Sequence, residues 1–204
     1  RDEFYGLAAA AVEATGPDDA RPRLVTSGLV DPGRLLWGRR AARLGGRTFA
    51  APVLDERHLD LKLAAWVRGR QGRPKVLVAT QTRVVEAAPD AAGTHVPVTP
   101  VIAVLPRDEA DLWRVAAALT SPAASAWALH HFGGTALTSD AVKLSAAQVL
   151  AVPVPADRDA WDAAATVLAA GDVDECASLL SGADSALFDW WRGRRPAAPD
   201  GPAR

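Results

Sequence analysis

The run Arg73-Pro74-Lys75-Val76-Leu77-Val78-Ala79-Thr80 decides how this chain is read. A Pro-Lys turn passes into four consecutive apolar residues, Val76 to Ala79, and Thr80, the pattern of a strand covered on both sides. Three polar residues follow, Gln81-Thr82-Arg83, short enough to project as a loop. A second strand-like run opens with Val84-Val85-Glu86-Ala87 and continues to Asp90. A polar loop over residues 90–95 leads into a third run, residues 96–105, which Pro106 closes. Asp108 and Glu109 then open a helix over residues 110–119. Leu112, Trp113, Val115, Ala116 and Leu119 are its apolar members, and Asp108, Glu109 and Asp111 lie in the first turn, where the helix dipole favours acids. Ser121-Pro122 starts another helix, carrying Trp127 to Phe132, and Gly133-Gly134 breaks it. Ser145 caps a short helix that ends in Val152-Pro153-Val154-Pro155.

Upstream, residues 4–12 are small and apolar and fit a strand or a helix. Residues 23–30 read as a short strand broken at Ser27-Gly28, between the turns Gly16-Pro17-Asp18-Asp19 and Asp31-Pro32-Gly33. Residues 47–53 predict another strand. Residues 55–67 predict one amphipathic helix, with Leu59, Leu63, Trp66 and Val67 on its apolar face and Trp66 as a core anchor. Downstream, Trp161, Ala164, Ala165 and Leu168 repeat at helical spacing, and two more helices are expected over 173–180 and 183–191. The expectation is an α+β fold, a mixed sheet with flanking helices and a helical C-terminal end. Residues 1–155 form the main domain in this reading, 156–195 a helical segment, and 196–204 a disordered tail of Pro, Ala, Gly and Arg.

Of 204 residues, 49% are hydrophobic and 23% charged, the balance of a soluble globular chain. No apolar run approaches the roughly 18 to 20 residues of a membrane helix, and the N-terminal residues do not resemble a signal peptide. The sequence holds no methionine, so it is expected to be a piece of something longer. The single cysteine, Cys176, rules out an internal disulfide and fits a reducing, cytoplasmic compartment. The net charge of −1 hides a split. Residues 34–83 carry twelve Lys and Arg against three Asp and Glu, a net of +9, while residues 1–33 carry −3 and residues 84–204 carry −7. A basic block between acidic segments suits an anion-facing surface. Nine of the twelve, Arg39, Arg40, Arg43, Arg47, Lys62, Arg68, Arg70, Arg73 and Lys75, are the candidate anion contacts before the polar loop. A merely solvated arginine-rich surface fits the same composition.

Catalytic signatures do not emerge. The histidines are His58, His95, His130 and His131, and adjacent helical side chains such as His130 and His131 point about 100° apart, which is poor geometry for one metal. There is no HExxH, GxSxG, Walker A or GxGxxG pattern. Cys176 lies in an acidic helix, which disfavours its thiolate. By elimination the chain reads as a binding module that holds no cofactor of its own.

The order of elements then matters. Pro74-Lys75-Val76-Leu77-Val78 opens the first strand, Leu119-Thr120-Ser121 ends a helix, Gly133-Gly134 follows the next helix, and Val152-Pro153-Val154-Pro155 closes the series. This resembles the target recognition domain of N6-adenine DNA methyltransferases and of type I restriction specificity subunits. Its signature is a "PKI" strand, a helix holding "LLNS", a glycine after the next helix, and a closing "L-x-x-L-P-I-P". The resemblance covers residues 23–155, and Leu24 to Asp31 with Trp37-Gly38 look like the segment that joins a catalytic core to its recognition domain. The family's (N/D)PP(Y/F) tetrad and its glycine-rich loop for S-adenosylmethionine are absent from this sequence. The resemblance therefore implies sequence-specific binding of double-stranded DNA, in a restriction-modification or phage-defence system. A methyltransferase catalytic domain, in the same or a partner chain, would bind S-adenosylmethionine and transfer the methyl group.

The chemistry of the residues fits that role. The basic block supplies phosphate contacts. Gln81, Thr82 and Arg83 suit major-groove base edges, Arg for guanine and Gln for adenine, with Thr94 and His95 as lesser candidates. Two rival readings remain. One is a protein-interaction module anchored by Trp37, Trp66, Trp113, Trp127, Trp190 and Trp191. The other is a hydrolase using Ser27 or His130.

Overall fold

The computed structural model describes residues 2–134, 140–182 and 184–196. The ambiguous apolar start resolves as a helix followed by a strand: α1 (Asp2–Ala9), then β1 (Ala11–Glu13). Strand β2 (Arg23–Val25) is followed by a 3-10 turn at Ser27–Leu29 and by the tight pair β3 (Val30–Asp31) and β4 (Arg34–Leu35). The hairpin β5 (Ala42–Leu44) and β6 (Arg47–Phe49) turns on Gly45 and Gly46, both at positive φ, as two-residue hairpin loops require. Residues 47–53 form two strands where one was expected. The Glu13 carboxylate accepts from the Ala50 and Ala51 N–H groups at 3.0 and 2.5 Å and bends the chain between β6 and β7 (Pro52–Leu54).

The helix expected over 55–67 is also divided. Asp55 caps a 3-10 turn (Glu56–His58), and Asp60 accepts from Leu63 N at 2.7 Å to start α2 (Leu61–Arg68). Two caps five residues apart set two starts. Strands β1, β7 and β2 are antiparallel neighbours, and β11 (His95–Pro97) joins β2 in parallel, giving a mixed four-stranded sheet. Leu7, Leu24, Leu54, Leu63, Val67 and Val96 close its core beneath α1 and α2, with Trp66 packed at the margin.

The run that began the sequence argument is β8 (Lys75–Ala79), the centre of an antiparallel sheet with β10 (Glu86–Asp90) and β12 (Ile102–Val104) on either side. All five of its residues are buried. Val76 and Val78 face a helical core, and Leu77 and Ala79 face Val25, Leu29 and Val30 of the N-terminal layer. The second run pairs only from Glu86; Val85 instead donates its N–H to Ser125 Oγ at 3.0 Å. The third run is split between two sheets. Its first part is β11 in the N-terminal sheet and its second part is β12 in the central one. The Thr80 hydroxyl donates to Pro100 O at 2.8 Å at the crossing. The loop after β8 forms the short strand β9 (Gln81–Thr82), which pairs with β13 (Val142–Lys143).

Helices cover the other face of β8. A 3-10 turn (Glu109–Asp111) capped by Asp108 precedes α3 (Leu112–Thr120), and Ser121 caps α4 (Pro122–Phe132). Ser145 and Gln148 form a reciprocal capping box on α5 (Ala146–Leu150). Asp157, Asp172 and Asp184 cap α6 (Arg158–Ala169), α7 (Val173–Leu179) and α8 (Ser185–Arg194). Ala164, Leu168, Cys176 and Trp191 share one core with Val76, Val78 and Ala87. The helices beyond residue 155 are therefore built into the central sheet. Trp191 is fully buried, which corrects its expected part in a partner surface; the other tryptophans are half-buried, with Trp37, Trp66, Trp113, Trp127 and Trp190 packed against core clusters. The architecture is α+β with a mixed sheet. Among the described residues no helix is long and apolar enough to cross a membrane. Residues 197–204 of the expected tail and 135–139 of the post-glycine loop lie outside the described residues.

Candidate nucleic-acid interface

Lys75 does not reach the surface. Its side chain is 0% exposed, and Nζ sits 2.8 Å from Asp90 Oδ2 and donates to the carbonyls of Arg70 and Arg73 at 3.0 and 3.2 Å. The expected phosphate contact is corrected: a strand buried on both faces carries its first residue inward too. Asp90 also accepts from Thr94 N at 3.2 Å, His95 N at 2.9 Å and His95 Nδ1 at 2.9 Å. Burial works to raise the Asp90 carboxyl, but the bonds from His95 and Lys75 outweigh it and hold the group below the usual carboxylate range. The His95 side chain is only 12% exposed, so this residue supports the 90–95 loop and is corrected as a base reader. Gly93, at φ +69, lets that loop dock: a Cβ there would lie 2.5 Å from Arg73 N.

The rest of the basic block divides in two. Arg40 is tied to Asp31 at 3.3 Å and to Gly28 O at 3.0 Å. Arg47 Nη2 donates to the carbonyls of Ala8 and Ala11 at 2.8 and 3.0 Å, fixing the hairpin to α1. The Arg70 guanidinium stacks 4.0 Å over Trp66, and burial lowers its pKa. These three have structural work. Arg39, Arg43, Lys62, Arg68 and Arg73 are exposed, and among the described residues none of them has a carboxylate partner. Elsewhere Arg21, Arg114 and Arg195 are each neutralised, by Asp19, Asp162 and Asp174.

The polar loop after β8 is held as a ribbon. Gln81 is exposed and pairs with Lys143, while Thr82 is buried and donates its hydroxyl to Val84 O at 2.5 Å. Thr82 is thus corrected from base reader to turn support. Arg83 is exposed, with Nε 2.8 Å from Asp140 Oδ2. Arg194, 111 residues away on α8, donates to Arg83 O at 3.4 Å and to Asp140 O at 2.5 Å. Sequence reasoning passed over Asp140 and Arg194; no local pattern links residues so far apart. Gln81 and Arg83 stand at the Ala79 end of β8, and Arg68 and Arg73 at the Lys75 end. The strand separates them.

One buried and one half-buried carboxyl mark the same end as Arg83. Asp31 is 1% exposed, and Glu86, paired opposite Ala79, is pushed up to about 8 by burial and then by Asp31, with Arg40 opposing. Among the described residues Ser27 Oγ is buried without a hydrogen-bond partner, and His130 is exposed in the last turn of α4, stacked edge-on to His131. Among the described residues no group of three His, Cys, Asp or Glu is placed to hold a metal ion. Cys176 is buried, its thiol pushed up to about 12 by burial and then by Asp172.

No protein-family model matches the chain, and no curated protein matches it.

Proposed function

We propose that this chain recognises duplex DNA in a sequence-specific way, as the non-catalytic recognition part of an N6-adenine DNA methyltransferase in restriction-modification or phage defence. One observation carries the reading. Among the described residues, five exposed cations without carboxylate partners, Arg39, Arg43, Lys62, Arg68 and Arg73, fall in one stretch poor in Asp and Glu, whereas downstream Arg114, Arg192 and Arg195 are paired and only Arg107 and Arg158 are exposed without a carboxylate. An unneutralised basic surface releases counterions from a phosphate backbone; a neutralised one does not. Exposed Gln81 and Arg83 add donors of the kind that read base edges. The resemblance to target recognition domains supports the same conclusion. In this reading the chain works in the cytoplasm. It holds DNA in register while a catalytic domain, carrying S-adenosylmethionine, acts on an adenine turned out of the stack.

The test is fluorescence anisotropy of the chain on mixed-sequence duplex DNA, titrated at low and at physiological salt. We expect affinity to fall by about two orders of magnitude or more between the two conditions. Changing Arg39, Arg43, Arg68 and Arg73 together to Glu should abolish binding and leave the fold intact. Absence of binding at low salt, or binding insensitive to that variant, overturns the reading.

A further inference from the structure

Resting on the DNA-recognition reading, we infer that Asp140 and Arg194 are positioning residues that aim the Arg83 guanidinium, end-on, at a guanine in the target site. The geometry of the three residues carries this. Asp140 Oδ2 engages Arg83 at Nε, 2.8 Å away, on the side of the guanidinium nearest the chain. Among the described residues no hydrogen bond takes up the terminal nitrogens Nη1 and Nη2, which leaves them as a fork of donors on a side chain 56% exposed. That fork is the pair of donors that meets guanine O6 and N7 together.

The pair has little to do for stability. Both side chains are about half exposed, 56% and 45%, and ion pairs in that setting add little to folding. What such a pair does achieve is to remove rotamer freedom from a long side chain before a ligand arrives, so that less is lost on binding. Arg194 strengthens the arrangement. One guanidinium from α8 donates both to the Arg83 carbonyl and to the Asp140 carbonyl, so the backbones that carry the two partners are locked to each other. Below them, Thr82 and Val142 pair across β9 and β13, and Gly133 bridges to Val142. Arg83 is therefore held from three directions: by its side chain, by its carbonyl and by the ribbon beneath it. Arg39, Arg43, Lys62, Arg68 and Arg73 have no such support, as suits residues that meet a featureless phosphate chain.

The experiment selects preferred duplexes from a randomised library with the 204-residue chain, then compares variants on the selected site and on the site with each guanine replaced. Arg83→Ala should erase the preference at one guanine. Asp140→Ala should reduce that preference by about tenfold while binding to mixed-sequence DNA changes less than about twofold. Asp140→Asn, which still presents an oxygen to Nε, should restore most of it. Arg194→Ala should act in the same direction as Asp140→Ala. Thermal melting of each variant shows that folding is kept. The inference is overturned if Asp140→Ala keeps the full guanine preference that Arg83→Ala loses. Failure of the broader reading looks different: the unsubstituted chain then selects no duplex at all.

Discussion

Lys75 Nζ lies 2.8 Å from Asp90 Oδ2 across directly opposed positions of β8 and β10, and both side chains are shut off from water. Attraction between buried charges offsets the loss of hydration only when the remaining donors and acceptors are also met. Here they are, by two carbonyls on the lysine and by Thr94 and His95 on the aspartate.

Removing one partner of this pair leaves the other charged and stranded. Asp90→Ala should destabilise the chain by about 3–5 kcal/mol in urea unfolding. A double change of Lys75 to Met and Asp90 to Leu should cost less than Asp90→Ala alone. If Asp90→Ala unfolds at the parent urea concentration, the network is not holding the fold.

Glu86 gives a pH signature. Its carboxyl titrates near 8 when folded, against an ordinary value of 4.5. Between those values the folded chain keeps a proton that the unfolded chain has released. Glu86's contribution is thus fully present below about pH 4.5 and is lost as pH rises toward 8. Glu86→Gln should remove this alkaline decline, with the difference between the two stability curves growing to a few kcal/mol, an order-of-magnitude figure, by about pH 8. Parallel curves from pH 4 to 9 would refute the assignment.

Gly93 is required by both its own backbone and its neighbour's. Gly93→Ala places a methyl 2.5 Å from Arg73 N at φ +69, and should cost on the order of 1–3 kcal/mol. Gly46 is also at positive φ but has open space around it, so Gly46→Ala should cost less. Thermal melting of the two variants side by side separates contact from conformation.

Cys176 should resist thiol reagents in the native chain, because burial and a raised pKa both suppress the thiolate. Labelling should begin only with unfolding, and its rate in mild denaturant should track the opening of the helical layer. Rapid modification of the native chain at neutral pH would contradict the packing of α7.

The central strand was legible because Val76 to Ala79 are apolar on both faces, and the first C-terminal helix because Trp161, Ala164, Ala165 and Leu168 repeat at helical spacing. The N-terminal layer was not. Its strands are two or three residues long, too short for periodicity, and Glu13 makes the bend at Ala50 and Ala51 from 37 residues away. Composition located the basic block, yet could not separate Arg73, free at the surface, from Lys75, two residues on and wholly enclosed. The support of Arg83 by Asp140 and Arg194 arises only in three dimensions, because helix α8 returns to the loop after β8.

The split of residues 96–105 between two sheets bears on how the chain is made. The N-terminal sheet lacks its parallel edge strand, and its core lacks Val96 and Val98, until synthesis has passed the central strand. On the ribosome, the segment before β8 is expected to wait with Leu24 and Leu54 partly uncovered while β8 and β10 emerge. Order of synthesis and order of assembly therefore differ. A nascent-chain force or protection assay should register the first stable layer only after residue 98 clears the exit tunnel.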